Sequence, residues 1–110
     1  MSAPYQYIAL HESLRDHPGA IAVHAAHAAG ESSFDGPAPN DTRMVVLVVK
    51  SSEDLREAAA RLTDVGIRHV LIVEDHGVRS GQVTALGVEP VRDERRAQVR
   101  AILDGFQVFR

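Results

Sequence analysis

The sequence predicts an α/β fold, a three-layer α/β/α sandwich around a mixed four-stranded sheet. Short apolar segments alternate along the chain with segments of helical periodicity, which is the pattern of strands joined by crossover helices. The chain has 110 residues, of which 45% are hydrophobic and 25% are charged, so it is long enough and apolar enough to bury one core. We therefore expect residues 1–110 to form a single domain whose elements follow the order β-α-β-α-β-β-α.

The first predicted strand and helix lie near the start of the chain. The short apolar run Tyr5–Leu10 predicts a strand, and the polar residues 12–17 that follow it predict a turn. Pro18 suits the first position of a helix, because the N–H that proline lacks is not needed there. The alanine-rich segment after it favours a helix up to Ala29, and Gly30 is expected to end this helix.

The middle of the chain predicts a loop, a strand and a second helix. Residues 31–43 contain two prolines, a glycine and several polar residues, which is typical of a loop. The run Met44–Val49 is apolar throughout and indicates a strand that is buried on both faces. Ser51 is followed three positions later by an acidic residue, in the spacing of a capping box, and apolar residues then repeat at helical spacing up to Gly66.

The last third of the chain predicts two strands and a third helix. Val70–Val73 and Val83–Val88 are short apolar runs on either side of a polar, glycine-containing loop at 74–81. Pro90 leads into a helix whose apolar residues follow the i, i+3, i+4, i+7 spacing of one face. Residues 106–109 leave open a short terminal strand after this helix.

Composition excludes several classes of protein. There is no cysteine, which excludes disulfides, thiolate nucleophiles and zinc–thiolate sites. The net charge is −3, from 12 Lys+Arg and 15 Asp+Glu, so the chain as a whole is not drawn to nucleic acid, and Lys50 is the only lysine. No apolar run has the ~18–20 residues of a membrane span and no segment resembles a signal peptide, so we expect a cytoplasmic protein without membrane contact. Walker and G-x-G-x-x-G motifs are absent, so we expect no nucleotide cofactor of those types and no other cofactor.

The polar residues that follow the predicted strands are the first candidates for a functional site, because α/β sheets place their sites beyond the carboxyl ends of parallel strands. These segments are His11–Ser13, Lys50–Ser52 and Glu74–His76. The start of the first helix, near Gly19 and Ala20, adds unpaired N–H groups that favour an anionic group.

Three histidines at the first predicted helix, His17, His24 and His27, fall on one side of a helical wheel. With Asp75 or His76 they could bind zinc, which makes them weak candidates for metal ligands. The spacing of His24 and His27 differs from the i, i+4 spacing of helical zinc motifs, and a solvated helix border is the alternative. Asp75, which precedes His76 and a glycine, could act as a base, an orienting group or a ligand, or it could be a turn residue that accepts backbone N–H bonds.

Three segments of the chain occur in a characteristic order. They are residues 19–28 (GAIAVHAAHA), Asp75–Gly77 (DHG) and residues 84–90 (TALGVEP). Together they resemble the type II peptidyl-tRNA hydrolase family, which has a glycine–lysine helix start with a following glutamine and histidine, then Asp-Ala-Gly, then Thr-Val-Leu-Gly-Ile-Gly-Pro. The similarity in segment order spans nearly the whole chain.

The resemblance implies a peptidyl-tRNA hydrolase-like domain, a homodimer, and a tRNA or tRNA-like ligand that is bound weakly. It implies catalytic roles for Asp75 and Thr84, and His24 could partly substitute for the family's lysine as a third catalytic residue. We expect substrate contacts at Gly19, Ala20, His27, His76 and Arg79.

The chain departs from the family at the residue on which catalysis depends. Ala20 stands where the family has its catalytic lysine, His24 stands where it has a glutamine, and the loop at 78–83 is shorter. A cation near developing negative charge typically contributes ~3–4 kcal/mol to catalysis. The departures therefore favour weak or lost hydrolysis of peptidyl-tRNA and a binding or regulatory role. Two alternatives stay open, an ester hydrolase in which a histidine replaces the lysine, and a histidine-based metal or small-molecule enzyme on the same scaffold.

Overall fold

The computed structural model describes residues 2–75, 77 and 80–109, and in them it contains one mixed sheet and three α-helices. The strands are β1 (Tyr5–His11), β2 (Arg43–Val49), β3 (His69–Val73), β4 (Val83–Val88) and β5 (Gln107–Val108), and the helices are α1 (Pro18–Glu31), α2 (Ser52–Asp64) and α3 (Asp93–Ile102). A 3₁₀ turn, Glu12–Leu14, follows β1. The strand order across the sheet is β3-β4-β1-β2-β5.

The sheet brings the carboxyl ends of β1, β2 and β3 to one edge. β1 and β2 are parallel, in register from Tyr5↔Arg43 to His11↔Val49, and β4 runs antiparallel to both β1 and β3. β4 therefore begins where the other three strands end. We call this side of the sheet the upper edge and the opposite side the lower edge.

Helices cover both faces of the sheet. α1 packs on one face, where Ile8, Leu10 and Ala85 of the sheet form a small core with Ala28. α2 and α3 pack on the other face over a larger core that includes Leu62. In the described part of the chain, no helix is both long and apolar enough to cross a bilayer.

The predicted sheet of four strands was wrong in its count, because a fifth strand extends it beyond β2. β5 pairs antiparallel with β2 through Leu47↔Val108 and Val48↔Gln107. A strand of two residues has no periodicity of its own, so the sequence left it only as an open possibility. Its position depends on pairing with a neighbour that is distant in the chain.

α2 and α3 begin in different ways. α2 starts after Ser51, whose Oγ accepts the backbone N–H of Asp54, as the capping pattern predicted. α3 starts later than predicted, because the chain after Pro90 is still extended. Val91 exchanges two backbone hydrogen bonds of 2.8 Å with Tyr5, and the helix begins only after this bridge.

Polar side chains beneath α1, rather than a glycine, fix its end. The helix continues past Gly30, contrary to the predicted stop. Ser32 Oγ donates to Ala28 O at 2.6 Å, and the side-chain amide of Gln6 donates to Ala29 O at 3.0 Å and to Ser32 Oγ at 2.9 Å. These bonds satisfy carbonyl groups at the helix end that would otherwise need water or a capping turn.

Replacing Gln6 with leucine should therefore destabilise the fold, although it makes a buried position more apolar. Gln6 is 2% exposed, and its amide is a donor to acceptors at the end of α1. We expect Gln6→Leu to lower the free energy of unfolding by about 1–3 kcal/mol, because the buried Ser32 Oγ loses its donor while Ala29 O keeps only the serine hydroxyls. Urea unfolding measures the change. Gln98→Leu, at an exposed position of α3, should change it by less than about 0.5 kcal/mol, and equal effects of the two variants would contradict the argument.

Gly87 lets α1 lie directly on β4. A Cβ atom at this position would be 2.2 Å from Ala28 O and 2.9 Å from Ser32 Oγ, so only glycine allows the observed approach. His24 lies one turn before Ala28 on the same helix face, and the close approach holds its side chain against β4. The backbone contact between Gly87 and Ala28 thus positions α1, the helix that carries the predicted site residue His24.

The predicted loop between the first helix and the second strand is confirmed, since residues 32–42 contain neither helix nor strand. Arg68, which precedes β3, donates to the carboxylates of Asp35 and Glu89, and its guanidinium lies 5.0 Å from the centre of the Phe34 ring. The hydrogen bond from Arg68 holds the pKa of Asp35 below its ordinary value. These contacts fasten the loop to the lower edge of the sheet.

Candidate functional site

The candidate site lies at the upper edge of the sheet, where three predicted residues come from three different segments. Thr84 is on β4, His24 is on α1, and Asp75 follows β3. The structure brings the side chains of Thr84 and His24 into direct contact. Asp75 is exposed and follows Glu74, which is the second partner of His24.

A β-bulge turns Thr84 toward α1. The pairing of β3 with β4 shifts from Ile72↔Ala85 to Val73↔Val83, so Thr84 is the extra residue of the bulge. In a regular strand, consecutive side chains point to opposite faces, and a bulge changes the direction of one of them. The bulge therefore allows Thr84 to point into the face that α1 covers.

His24 is held between a hydroxyl and a carboxylate. The residue is 6% exposed, Nδ1 lies 2.7 Å from Thr84 Oγ1, and Nε2 lies 3.2 Å from Glu74 Oε2. An ionised carboxylate only accepts hydrogen bonds, so in the neutral ring Nε2 carries the proton and Nδ1 accepts from the threonine hydroxyl. Thr84, His24 and Glu74 thus form a hydroxyl–imidazole–carboxylate chain, which we call the Thr84–His24–Glu74 chain.

Glu74 is the member of the Thr84–His24–Glu74 chain that had no role predicted from the sequence. Its Oε2 contacts His24, and its Oε1 accepts the backbone N–H of Asp75 at 3.1 Å. The carboxylate therefore also orients the turn that carries Asp75. The available signal in the sequence was position, since Glu74 begins the polar segment that follows the third predicted strand.

His11 and Gln82 form a second polar contact at the upper edge. Nδ1 of His11 accepts the backbone N–H of Ser13 at 3.0 Å, so Nε2 must carry the ring proton. The side-chain amide of Gln82 lies 3.3 Å from this Nε2, and the tautomer requires the amide to present its oxygen to the ring. The contact ties the end of β1 to the residue that precedes β4.

The three histidines predicted on one side of the first helix do not form a cluster. His24 faces the sheet, whereas His27 is exposed and His17 precedes α1 as its N-cap. Since α1 begins at Pro18, His17 is not part of the helical wheel that placed it beside the other two. Within residues 2–75, 77 and 80–109, no group of three His, Cys, Asp or Glu is arranged to hold a metal ion.

The predicted substrate-contacting residues occupy different places. Gly19 is exposed in the first turn of α1, and Ala20 is half-buried against the core on the α1 face. His27 is exposed on α1, outside the Thr84–His24–Glu74 chain. His76 and Arg79 lie outside the described residues.

The only lysine in the sequence lies to one side of the Thr84–His24–Glu74 chain. Lys50 is exposed and follows β2, and β1 separates β2 from β4 in the sheet. Neighbouring strands are ~4.8 Å apart, so the strand that ends before Lys50 is ~10 Å from the strand that carries Thr84.

The geometry limits what Thr84 and His24 can do chemically. Thr84 is 0% exposed and its hydroxyl is engaged with His24, so an ester carbonyl cannot approach it in this conformation. Both ring nitrogens of His24 are also engaged. The side chains therefore support the upper edge from within, while Asp75 and the first turn of α1 are exposed.

Comparison with known proteins assigns the chain to a family. A family model described as peptidyl-tRNA hydrolase PTH2 matches residues 5–108, which span every strand and helix from β1 to β5. A search of curated proteins finds no match to the chain. The family match includes the positions of His24, Asp75 and Thr84, and it confirms the resemblance drawn from the three sequence motifs. The chain therefore belongs to the type II peptidyl-tRNA hydrolase family.

Proposed function

We propose that this protein is a peptidyl-tRNA hydrolase-like protein that binds the acylated end of a tRNA or tRNA-like ligand and has weak or no hydrolase activity. Membership of the family supports the class of ligand. The observation that supports a loss of activity is the closed Thr84–His24–Glu74 chain. In it the threonine hydroxyl contacts Nδ1 of His24, and Nε2 of the same ring contacts the carboxylate of Glu74.

The residue at the position of the family lysine supports the same proposal. Ala20 is half-buried against the core on the α1 face and offers a methyl group without charge. Attack of water on an ester builds negative charge on the carbonyl oxygen, and a preplaced cation typically lowers that barrier by ~3–4 kcal/mol. The loss of this cation alone corresponds to a rate that is ~10²–10³-fold lower.

His24 is a poor substitute for the lysine in this conformation. If the ring became charged, the carboxylate of Glu74, 3.2 Å from Nε2, would balance its positive charge. A cation paired with a carboxylate exerts little net field on a third group. An ester hydrolase that used His24 would therefore have to break its contact with Thr84 or Glu74.

The features that remain exposed at the upper edge are suited to binding. The first turn of α1, with Gly19, presents backbone N–H groups that favour a phosphate or a carboxylate. The exposed Asp75 lies on a turn whose backbone N–H is fixed by Glu74. Both features lie at the surface, outside the core.

Labelled peptidyl-tRNA tests binding and hydrolysis separately. We expect saturable binding by the native chain and release of the peptide at least ~100-fold slower than by a family member that has the lysine. Fluorescence anisotropy measures binding, and acid-soluble label measures release. Failure to bind would overturn the assigned ligand, and release at the rate of the lysine-containing enzyme would overturn the loss of activity.

Ala20→Lys should not restore release of the peptide, because Thr84 and His24 remain engaged with each other. We expect a gain of less than ~10-fold, equivalent to less than ~1.4 kcal/mol in the barrier. Ala22→Lys, at an exposed position of α1, is the control for the added charge. If Ala20→Lys alone brought the rate to that of a lysine-containing relative, the missing cation would be the sole defect. The contacts within the Thr84–His24–Glu74 chain would then not limit activity.

A further inference from the structure

Two tyrosines and two arginines form a compact group at the lower edge of the sheet. The rings of Tyr5 and Tyr7 stack with their centres 6.4 Å apart. The guanidinium carbon of Arg96 lies 3.5 Å from the centre of the Tyr5 ring, and that of Arg43 lies 5.9 Å from the same centre. Two cations thus share one aromatic ring.

The phenol oxygens hold these two arginines in place. Arg43 Nη1 donates to Tyr5 Oη at 3.3 Å, and Arg96 Nε donates to Tyr7 Oη at 3.3 Å. A guanidinium has five N–H donors, so each arginine uses one in these bonds and retains four. Stacking on a ring also reduces the conformational freedom that an arginine loses when it binds a ligand.

Two further arginines flank Arg96 in the sequence. Arg100 follows it by four residues within α3, which is the spacing of neighbours along one side of a helix, and Arg92 is the extended N-cap residue that precedes α3. We call Arg43, Arg92, Arg96 and Arg100 the arginine platform. Like charges at this spacing repel one another when no opposite charge lies between them.

The arginine platform lacks the carboxylate partners that other arginines of this chain have. Arg56 pairs with Glu53, and Arg68 and Arg95 both pair with Glu89. Among the residues that the structure describes, no Asp or Glu lies within ion-pair distance of any of the four platform arginines. The chain carries a net charge of −3, so this concentration of unpaired positive charge runs against the overall balance.

We propose that the arginine platform binds the phosphodiester backbone of RNA, as a contact separate from the upper edge. Flat guanidinium groups stacked on aromatic rings are well suited to phosphate oxygens, to which they donate pairs of hydrogen bonds. The inference rests on the proposed function for the choice of RNA as the partner, and it is independent of ester hydrolysis.

The position of the arginine platform favours a long polyanion over a small one. Tyr5 begins β1 and His11 ends it, so the seven residues of this strand place the Tyr5 ring, which Arg43 and Arg96 share, ~20 Å from the upper edge. The tyrosines also face the core that α2 and α3 cover, whereas His24 belongs to α1 on the other face. A ligand that contacts both regions must extend around the molecule, as the body of a tRNA does and a free phosphate does not.

Binding of an unacylated RNA hairpin at several salt concentrations tests the arginine platform without involving the ester. The logarithm of the association constant falls with the logarithm of salt concentration, and each phosphate contact that is lost reduces the slope by about 1. We expect the double variant Arg43→Gln, Arg96→Gln to reduce the slope by about 2. Arg56→Gln removes one charge from a pair on α2 and should leave the slope unchanged.

Arg43→Gln alone guards against an effect on folding, because Arg43 is exposed at the start of β2 while Arg96 is half-buried. It should reduce the slope by about 1 and leave the unfolding temperature close to that of the native chain. Equal slopes for the native chain and the double variant would overturn the proposal, as would an equal effect of Arg56→Gln.

Two further experiments test whether the arginine platform binds an anion other than RNA. If millimolar inorganic phosphate displaced the hairpin from the native chain as effectively as unlabelled RNA at the same phosphate concentration, the platform would be a small-anion site and the proposal would fail. If the arginine variants lost binding to vesicles of anionic phospholipid but kept native RNA binding, the platform would belong to a membrane surface instead. Binding of the hairpin through these arginines supports the platform whether or not the protein releases peptide from peptidyl-tRNA.

Discussion

Gly87→Ala should be among the most destabilising single substitutions in this protein, although it adds only one methyl group. The new Cβ would lie 2.2 Å from Ala28 O and 2.8 Å from Ala28 C, and real contacts of a Cβ atom are far longer. Both neighbours are backbone atoms of α1, so a side-chain rotation cannot relieve the clash. The helix must move away from β4, which opens the core on the α1 face.

We expect Gly87→Ala to lower the free energy of unfolding by ~3 kcal/mol or more, at the upper end of overpacking effects in protein cores. For a domain of this size, such a loss lowers Tm by roughly 10–20 °C. Thermal and urea unfolding measure both quantities. The displacement should also disturb the contact between His24 and Thr84, because His24 is one turn from the clash.

Gly30→Ala is the matched control for this prediction. Gly30 lies within α1, is exposed, and has no atom within 4 Å of the position that a Cβ would occupy. Alanine is the better helix former by up to ~1 kcal/mol, so this variant should be neutral or slightly more stable than the native chain. If both glycine variants unfolded at the native temperature, α1 would not be held at the close distance described above.

Local sequence patterns predicted the elements that have a periodicity or a cap of their own. The apolar run of β2, the capping serine of α2 and the loop at 32–42 all follow from residues that are adjacent in sequence. The patterns failed where a distant contact decides the structure. β5 exists because β2 has a free edge, and α1 passes Gly30 because Gln6 and Ser32 satisfy its last carbonyl groups.

The candidate site shows the same division between local and distant information. The resemblance to a family placed His24 and Thr84 in the site, and in the structure their side chains are in contact. It did not reveal that Thr84 is the extra residue of a bulge, nor that Glu74 completes the set. Both facts depend on the register of β3 against β4 across a loop, which neither periodicity nor motif spacing determines.

Thr84→Val should test directly whether the Thr84–His24–Glu74 chain has the arrangement of protons that we assign. Valine has nearly the shape of threonine, so the main change is loss of the hydroxyl that donates to His24 Nδ1. The acceptor would then be buried without a donor, and we expect the free energy of unfolding to fall by about 1–3 kcal/mol. Nitrogen-15 NMR of the imidazole should show the proton on Nε2 in the native chain, because the Glu74 carboxylate accepts from that atom.

Thr84→Ser separates the hydrogen bond from packing, because serine keeps the hydroxyl and removes only the methyl group. We expect serine to lower the free energy of unfolding by ~1 kcal/mol, which is the contribution of a buried methyl group, and to leave the Nε2 proton in place. A valine variant as stable as the native chain, with only the serine variant destabilised, would show that Thr84 matters for volume alone. A proton found on Nδ1 in the native chain would reverse the hydrogen bond, making the hydroxyl an acceptor whose proton points to Ile72 O, 3.5 Å away. The three side chains would still keep Thr84 from a substrate, but the protons that we assign to their hydrogen bonds would be wrong.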